Sequence, residues 1–470
     1  MENKIEVKIH FLGASGTVTG SKFLLELPGK NILVDCGLFQ GLKELREMNW
    51  EPFPFPPEEI DLVLLTHGHL DHTGYLPRLV NEGLSAPIIG TAPTLAIASV
   101  IVLDSAKIQE EEANEINEKG TGSHHPALPL YTLEDAENAI TYFQPIDPDK
   151  WIIFTKDIKY RFLTNGHIIG STFIEIDIFG KIFVFSGDVG RKVDLLLEKP
   201  NKPRWADYLF LESTYGNRMH PMQDVDSVII SAVKEVIKNK GNLIIPTFAV
   251  ERLQTLMYTL WQLYLHNKIP NIPIFVDSPM GNNVLQIFQE FHLWHKLSHK
   301  EFVEMQKHFE IIRSYGDTWK TIDDQRSKII IAGSGMVTGG RVITYLRYLI
   351  EDPANIVMLI GFQAEGTRGR QLLEGAHEIK ILGKYVPVKA PIIHIESLSA
   401  HADQPELLEW ISDIKNIPEE VFLVHGEKLA SDALRVKIKD QYNWKVYIPK
   451  LMETRTITYL PGNQRNDEFP

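Results

Sequence analysis

Residues Leu65–Pro77 read LTHGHLDHTGYLP and set three histidines and an aspartate, His67, His69, Asp71 and His72, within six positions of one another. They follow the apolar run DLVLLT, Asp61–Thr66, which reads as a buried strand. A strand that ends this way delivers its polar side chains at the mouth of a sheet. His67 and His69, two residues apart, point the same way while the chain stays extended. Asp71 and His72 come at the turn into a helix and offer donors to a neighbouring site. Imidazole and carboxylate donors without cysteine suit a catalytic zinc, which keeps a coordination position open, better than a closed structural site. A polar loop rich in histidine by chance is the bland alternative, and the density and placement argue against it.

Two metals need more donors, since each zinc takes at least three from the protein. His167, in LTNGHIIGS, sits in a tight loop between strands, and Asp188, in FVFSGDVG, ends an apolar strand with a glycine on either side. Asp188 has two oxygens with which to bridge a pair of ions. Either residue alone would read as a turn former; their weight comes from the HGHLDH they accompany.

The remaining composition bounds the class. A chain of 470 residues with 44% apolar content predicts two domains, each with its own core. The longest apolar runs, such as Leu95–Leu103, fall short of the roughly 18 residues of a membrane span, and the N-terminus enters a strand pattern without a signal-like segment, so the expected location is cytoplasmic. One cysteine, Cys36, excludes an intramolecular disulfide framework and any multi-cysteine metal site. A net charge of -13 argues against the broad basic face of a protein that stays bound to nucleic acid, though not against local binding of a polyanion through metals and a few arginines.

Along the chain, Lys4–Phe11 alternates Ile5, Val7, Ile9 and Phe11 on one face, and a turn at Pro28–Asn31 joins two further strands. A helix is predicted from Pro93 to about Glu118 and another beginning at Thr132 with Asp135 as its capping partner. Strands return between Trp151 and Asp188, with Gly180 and Lys181 as a hairpin turn. After Phe210–Arg218, FLESTYGNR, short apolar strands (GNLIIPT, NIPIFVDSP, SKIIIAGSG, ANIVMLIGF) alternate with helical stretches, the rhythm of a parallel α/β unit.

The order HGHLDH, NGH, SGD resembles the metallo-β-lactamase superfamily, which implies an α/β fold of four layers, an αββα sandwich, with a di-metal centre on one edge. The chain beyond Asp188 resembles its β-CASP nuclease branch, in particular prokaryotic homologues of the cleavage and polyadenylation specificity factor endonuclease subunit. Glu212 in FLESTYGNR, His401 in SLSAHADQPEL and His425 in VFLVHGE match that branch's further motifs. GSGMVTGGRVITYL and GFQAEGTRGRQLLEG are similar to its inserted domain, and no segment is left over for a KH module or a long C-terminal extension. The resemblance implies residues 1–212 as the first part of the metallo-β-lactamase domain, 213–390 as a doubly wound β-CASP insertion and 391–470 as the completing part, with substrate in the cleft between domains. By resemblance His67, His69, His167 and Asp188 hold one Zn2+, and Asp71, His72, Asp188 and His425 the other. Asp35, in NILVDCG, supports the ligand histidines from behind.

The implied chemistry is hydrolysis of RNA phosphodiesters to 5′-phosphate and 3′-OH ends, since two ions about 3.5–4 Å apart activate water and stabilise phosphoryl charge. His401 is expected to protonate the leaving 3′-oxygen, with Glu212 orienting and charging it, and Asp71 counts as catalytic as well as a ligand. His401 could alternatively be no more than a residue leading a helix capped by Asp403. Single-stranded RNA is the expected partner and DNA the other polymer the motifs admit; the oligomeric state stays open, a homodimer being one option, and no membrane partner is expected. Endonuclease and 5′-exonuclease action stay open. Two rivals are a small-molecule thioester or lactone hydrolase, which would lack the Glu212/His401 pair, and a non-catalytic scaffold, which would have lost ligands. Iron fits less well than zinc because position 69 is histidine.

Other stretches read as structural. GASGTVTGSK, Gly13–Lys22, lacks the GK[ST] of a phosphate loop and reads as a tight loop beside the active site. His292, His295 and His299 share a helical face as packing or surface residues, and His124 and His125 lie in a loop without ligand roles. Arg341, Arg368 and Arg370 are candidate RNA phosphate contacts, weighed equally against a solvated-helix role.

Overall fold

The alternation in Lys4–Phe11 becomes a strand, Ile5–Phe11, in which Val7, Ile9 and Phe11 are wholly buried. In the computed structural model, which describes residues 4–119 and 126–461, this strand opens a seven-stranded sheet. In spatial order the sheet runs Glu453–Tyr459, Ile5–Phe11, Phe23–Leu27, Lys30–Val34, Leu62–Leu64, Ile88–Thr91 and Phe143–Ile146. The first four pair antiparallel and the rest join in parallel, so the opening is the antiparallel structure expected. A second seven-stranded sheet runs Val446–Tyr447, Glu420–Val424, Tyr208–Glu212, Lys181–Phe185, Thr172–Ile178, Ile158–Thr164 and Ile152–Thr155.

One apolar cluster, built on Phe11, Phe23, Phe185, Phe210 and Phe422, lies between the two sheets, with Phe185 and Phe210 stacked at 4.0 Å. A second cluster packs the outer face of the first sheet against helices that include Ala92–Lys119 and Leu133–Ile140, and a third packs the second sheet against Gln404–Ile411 and Lys428–Tyr442. Helix, sheet, sheet, helix is the predicted four-layer sandwich. Thr132 caps Leu133–Ile140 in a reciprocal box with Asp135, as its spacing predicts. The length and apolar character of Ala92–Lys119 would suit a membrane crossing, but Leu95, Val102 and Ala106 of that helix are core residues here.

Two turn-level expectations are corrected. The hairpin between Thr172–Ile178 and Lys181–Phe185 turns on Phe179 and Gly180, both at positive φ, and Lys181 already pairs with Ile178. Such a two-residue turn needs left-handed backbone at both positions; glycine supplies one, and Phe179 is held at the other by packing against the inter-sheet core. Likewise His292, His295 and His299 do not share a helix. His292–Trp294 is a single tight turn, Ser298 starts a new helix in a capping box with Glu301, and buried His295 bonds the Phe288 carbonyl at 2.8 Å. His124, His125 and the tail from residue 462 lie outside the described residues.

The sandwich comprises residues 1–194, 198–219 and 401–470, and a second compact unit comprises 195–197 and 220–400. The second unit is a six-stranded parallel sheet in the order Glu310–Ile311, Ile274–Asp277, Lys328–Ala332, Asn242–Pro246, Ile356–Ile360 and Ile392–Ile395. The last of these strands corrects the expected return at 391. IIHI pairs in parallel with Ile356–Ile360 and belongs to the insertion, because its apolar side chains complete that sheet; the chain rejoins the sandwich at His401.

Candidate metal centre

The strand Leu62–Leu64 is buried throughout, and it ends where Thr66 ties to Asp35: the Thr66 N–H donates to Asp35 Oδ1 at 2.8 Å and its hydroxyl to Oδ2 at 2.8 Å. The chain then passes His67 and His69 and turns into the short helix Leu70–Thr73. The loop after Ile158–Thr164 carries His167, and Asn165 binds it to the Asp188 loop by donating to the Ser186 and Asp188 carbonyls, both at 2.8 Å. Gly187 is required beside Asp188: its φ is +52°, and a Cβ there would lie 2.7 Å from Thr66 Cβ. His425 follows Glu420–Val424 and, like Asp35, holds a left-handed backbone, with φ of 48° and 57° respectively. Non-glycine residues kept in that region mark places where position matters more than local comfort.

These elements bring seven predicted ligands together. His67 Nε2 and His167 Nε2 lie 3.1 and 3.3 Å from His69 Nδ1, and each lies 3.5 Å from Asp188 Oδ2. Four donors around a zinc at its usual 2.0–2.1 Å form a tetrahedron with edges of about 3.4 Å, so the spacing fits a metal better than four groups bonding one another. On the other side Asp188 Oδ1 lies 3.4 Å from both His72 Nε2 and His425 Nδ1, and His425 Nε2 is 3.3 Å from Asp71 Oδ2. Asp188 faces both groups, one oxygen to each. His72 Nε2 and Asp188 Oδ1 are buried yet make no hydrogen bond, which a bound cation would account for.

Asp35 holds the histidines from behind. It accepts from His72 Nδ1 at 2.7 Å, so the other ring nitrogen faces the centre. Thr66 extends the same support to His67. Its only proton goes to Asp35, so at 3.1 Å it must accept from His67 Nδ1, leaving His67 Nε2 free to face the metal site.

Burial lowers His67 well below the ordinary histidine value and His69 to about 4, so both are neutral donors. Burial also opposes charge on His72 and His425, but the carboxylates beside them prevail and both are raised. Burial would lift Asp188 too; the ring of histidines outweighs it and holds Asp188 well below the carboxylate range.

His401 lies at the edge of this cluster, its ring centre 4.5 Å from that of His167. Its Nε2 is 4.0 Å from Asp188 Oδ2, and its Nδ1 donates to Glu212 Oε1 at 3.3 Å. Glu212 is fixed by N–H groups of Val189 at 2.7 Å and Thr214 at 3.2 Å. The Gly13–Lys22 loop does lie against the centre: Ala14 O accepts from the His425 N–H, and the Ser21 N–H donates to Asp71 O. Lys22 points into a box between Phe39 and Tyr75, at 4.4 and 4.9 Å from the rings.

The three arginines have partners within their own unit, Arg341 and Arg368 partly buried and Arg370 on the surface. Arg341 stacks on Tyr315 at 3.8 Å and bonds Thr318; Arg368 donates to the carbonyls of Val337, Thr338 and Lys380; Arg370 pairs with Glu374 at 2.6 Å. Their guanidinium groups thus have structural partners. Thr66, Asn165 and Thr214, whose hydroxyl lies 3.1 Å from His425 Nδ1, escape a search for ligand types. The available signal is a hydroxyl or amide residue within two positions of a ligand or of Glu212.

Comparison with known proteins places the chain in a family. Profiles of the metallo-β-lactamase superfamily, the Beta-Casp domain and the Zn-dependent metallo-hydrolase RNA specificity domain match residues 16–235, 253–372 and 385–449. Ribonuclease TTHA0252 of Thermus thermophilus is 33% identical over 431 residues, covering 88% of this chain and 92% of its own. Transcription termination factor FttA of Methanocaldococcus jannaschii is 28% identical over 461 residues, 94% of this chain and 70% of that one. A crystal structure of a protein of unknown function from Enterococcus faecalis V583 shares the fold, with a TM-score of 0.52 at 12% identity over 97% of this chain and 100% of that one. The chain belongs to the metallo-β-lactamase superfamily, in its β-CASP branch of metal-dependent nucleases.

Proposed function

We propose that the protein is a zinc-dependent ribonuclease that holds two Zn2+ and hydrolyses RNA phosphodiesters in the cytoplasm, leaving 5′-phosphate and 3′-OH ends. The observation that carries the reading is Asp188, whose two oxygens face two separate groups of histidines while His401 waits 4.0 Å away. His67, His69, His167 and Asp188 would hold one ion, and Asp71, His72, Asp188 and His425 the other. When bound, the pair supplies Lewis acidity toward a phosphoryl oxygen and an activated water.

The protein's own residues do the rest. Asp35 and Thr66 keep the His72 and His67 ring nitrogens aimed inward. His401, oriented by Glu212 through its Nδ1, gives its Nε2 proton to the leaving 3′-oxygen. RNA as the substrate is supported by the RNA specificity profile over residues 385–449 and by the ribonuclease relative. Incubating zinc-loaded protein with 5′-phosphorylated and 5′-blocked single-stranded RNAs and mapping the fragments tests it. Cleavage of both at internal sites indicates an endonuclease, and cleavage of the phosphorylated RNA alone from its 5′ end an exonuclease. No cleavage of either, by protein carrying about two zinc ions, would reject the reading.

A further inference from the structure

Residues Glu378–Ile381 and Lys384–Pro387 form a two-stranded hairpin in the second unit, with Lys380 paired across to Tyr385. Its underside is anchored, with Ile379, Ile381 and Val386 in the apolar cluster of that unit. Arg368 locks it from the side, donating to the Lys380 carbonyl at 2.6 Å and to those of Val337 and Thr338. The hairpin is therefore a rigid platform, and its outer face is unusual in three ways.

The first is the tip. Leu382 and Gly383 turn the chain with φ of 46° and 80°, the two left-handed positions of a tight hairpin turn, where asparagine, aspartate or glycine is the unstrained choice. Leucine there is strained, and its side chain gains nothing from the fold because it is 62% exposed. The second is Tyr385, 65% exposed, with the Lys380 ammonium 5.9 Å from its ring centre. The third is charge. Glu365–Lys389 carries five cations against three carboxylates in a chain whose net charge is -13. Of these, Lys380 is exposed on the outer face beside Tyr385, and Lys384, which lies opposite Ile381 on the other face, is exposed next to the turn.

We propose that this hairpin is a docking surface for single-stranded RNA, with bases stacking on Leu382 and Tyr385 and phosphates held by Lys380 and Lys384. Apolar and aromatic faces alternating with cations are what a single strand binds without regard to sequence. A bare protective role, lysine and proline blocking an open sheet edge, explains Lys384 and Pro387 but not the strained leucine or the tyrosine. The assignment rests on the reading that the protein acts on RNA and adds a binding surface to it.

The test uses the full-length zinc-loaded chain in a His401→Ala background to slow cleavage, with fluorescence anisotropy on a 20-nucleotide single-stranded RNA. Lys380→Glu with Lys384→Glu should weaken binding tenfold or more at about 0.1 M salt and flatten the salt dependence by about 1.4, the release expected for two phosphate contacts on a single strand. Tyr385→Ala should weaken it about fivefold or more. Leu382→Asn is the sharpest variant, because it relieves the turn and should hold or raise the melting temperature while lowering RNA affinity. Unaltered affinity in these variants, in a protein whose wild type cleaves RNA, overturns the docking surface and leaves the hairpin to edge protection or a protein partner. Failure of the wild type to bind or cleave RNA would instead overturn the parent reading, and this proposal with it.

Discussion

Asp35 serves both halves of the centre, directly through His72 and by way of the Thr66 hydroxyl through His67. Thr66→Val should therefore lower zinc affinity about 10–100-fold, as loss of a supporting hydrogen bond to a ligand histidine usually does, and Thr66→Ser should restore it. Competition against a chromophoric chelator measures this without any turnover, and wild-type affinity in the valine variant would remove Thr66 from the site. His401 and His425 are told apart by metal content: His425→Ala should lose zinc, whereas His401→Ala should keep it and slow cleavage about 10²–10⁴-fold. A substrate with sulfur as leaving atom, which departs without a proton, should rescue only the His401 variant. Lys22 makes a pH prediction. Burial brings its pKa down from 10.5 to about 8, so between those values the unfolded chain binds more protons and stability rises with pH. Below pH 8 the buried charge costs about 3 kcal/mol, partly offset by the Phe39 and Tyr75 rings. Lys22→Met should then add about 1–2 kcal/mol at pH 7 and nothing above pH 10.5, read from denaturant curves at both pH values.

The strands matter here for where they end. Leu62–Leu64, Lys181–Phe185, Tyr208–Glu212 and Glu420–Val424 each deliver a site residue just past or at their last position, and the aromatic cluster between the sheets sets their spacing. Phe210 stacks on Phe185 and touches Phe11, Phe23 and Phe422, one strand position pair away from Glu212. Phe210→Ala should cost about 3–5 kcal/mol by leaving a cavity in that layer. Chemical denaturation gives the number, and a loss below about 1 kcal/mol would mean the sheets close over the gap. The periodic strands were readable because alternation and apolar runs report burial directly. The Phe179–Gly180 turn and the broken His292–His299 segment were not, since tertiary packing holds one against propensity and local capping interrupts the other.

At the scale of the molecule, the chain leaves the sandwich at Met219 and rejoins it at His401, and the two crossing points adjoin: the Gln404 N–H donates to Arg218 O at 3.1 Å and its side chain to Gly216 O. Joining Met219 to His401 through a short glycine-serine linker, with Leu195–Leu197 made polar, should yield a folded sandwich that still binds metal. It should also have lost cleavage of long RNA. Circular dichroism, metal analysis and an RNA assay on the same sample decide it; wild-type cleavage by the folded excision would show that the insertion takes no part.

By itself the sequence determined the sandwich and the alternating insertion and singled out the donor side chains that the fold then gathers, because donor types crowded at strand ends and apolar periodicity are local properties of the chain. Tertiary structure decided what depends on residues far apart. It assigned IIHI to the insertion's sheet, since an apolar strand of four residues can complete either sheet equally well. It gave Arg341 and Arg368 partners from distant segments, Thr318 for one and the Val337, Thr338 and Lys380 carbonyls for the other, because a guanidinium takes whichever acceptors the fold brings near. It made Thr66 the link between Asp35 and His67, a role that a hydroxyl acquires only when a carboxylate 31 positions earlier is folded against it.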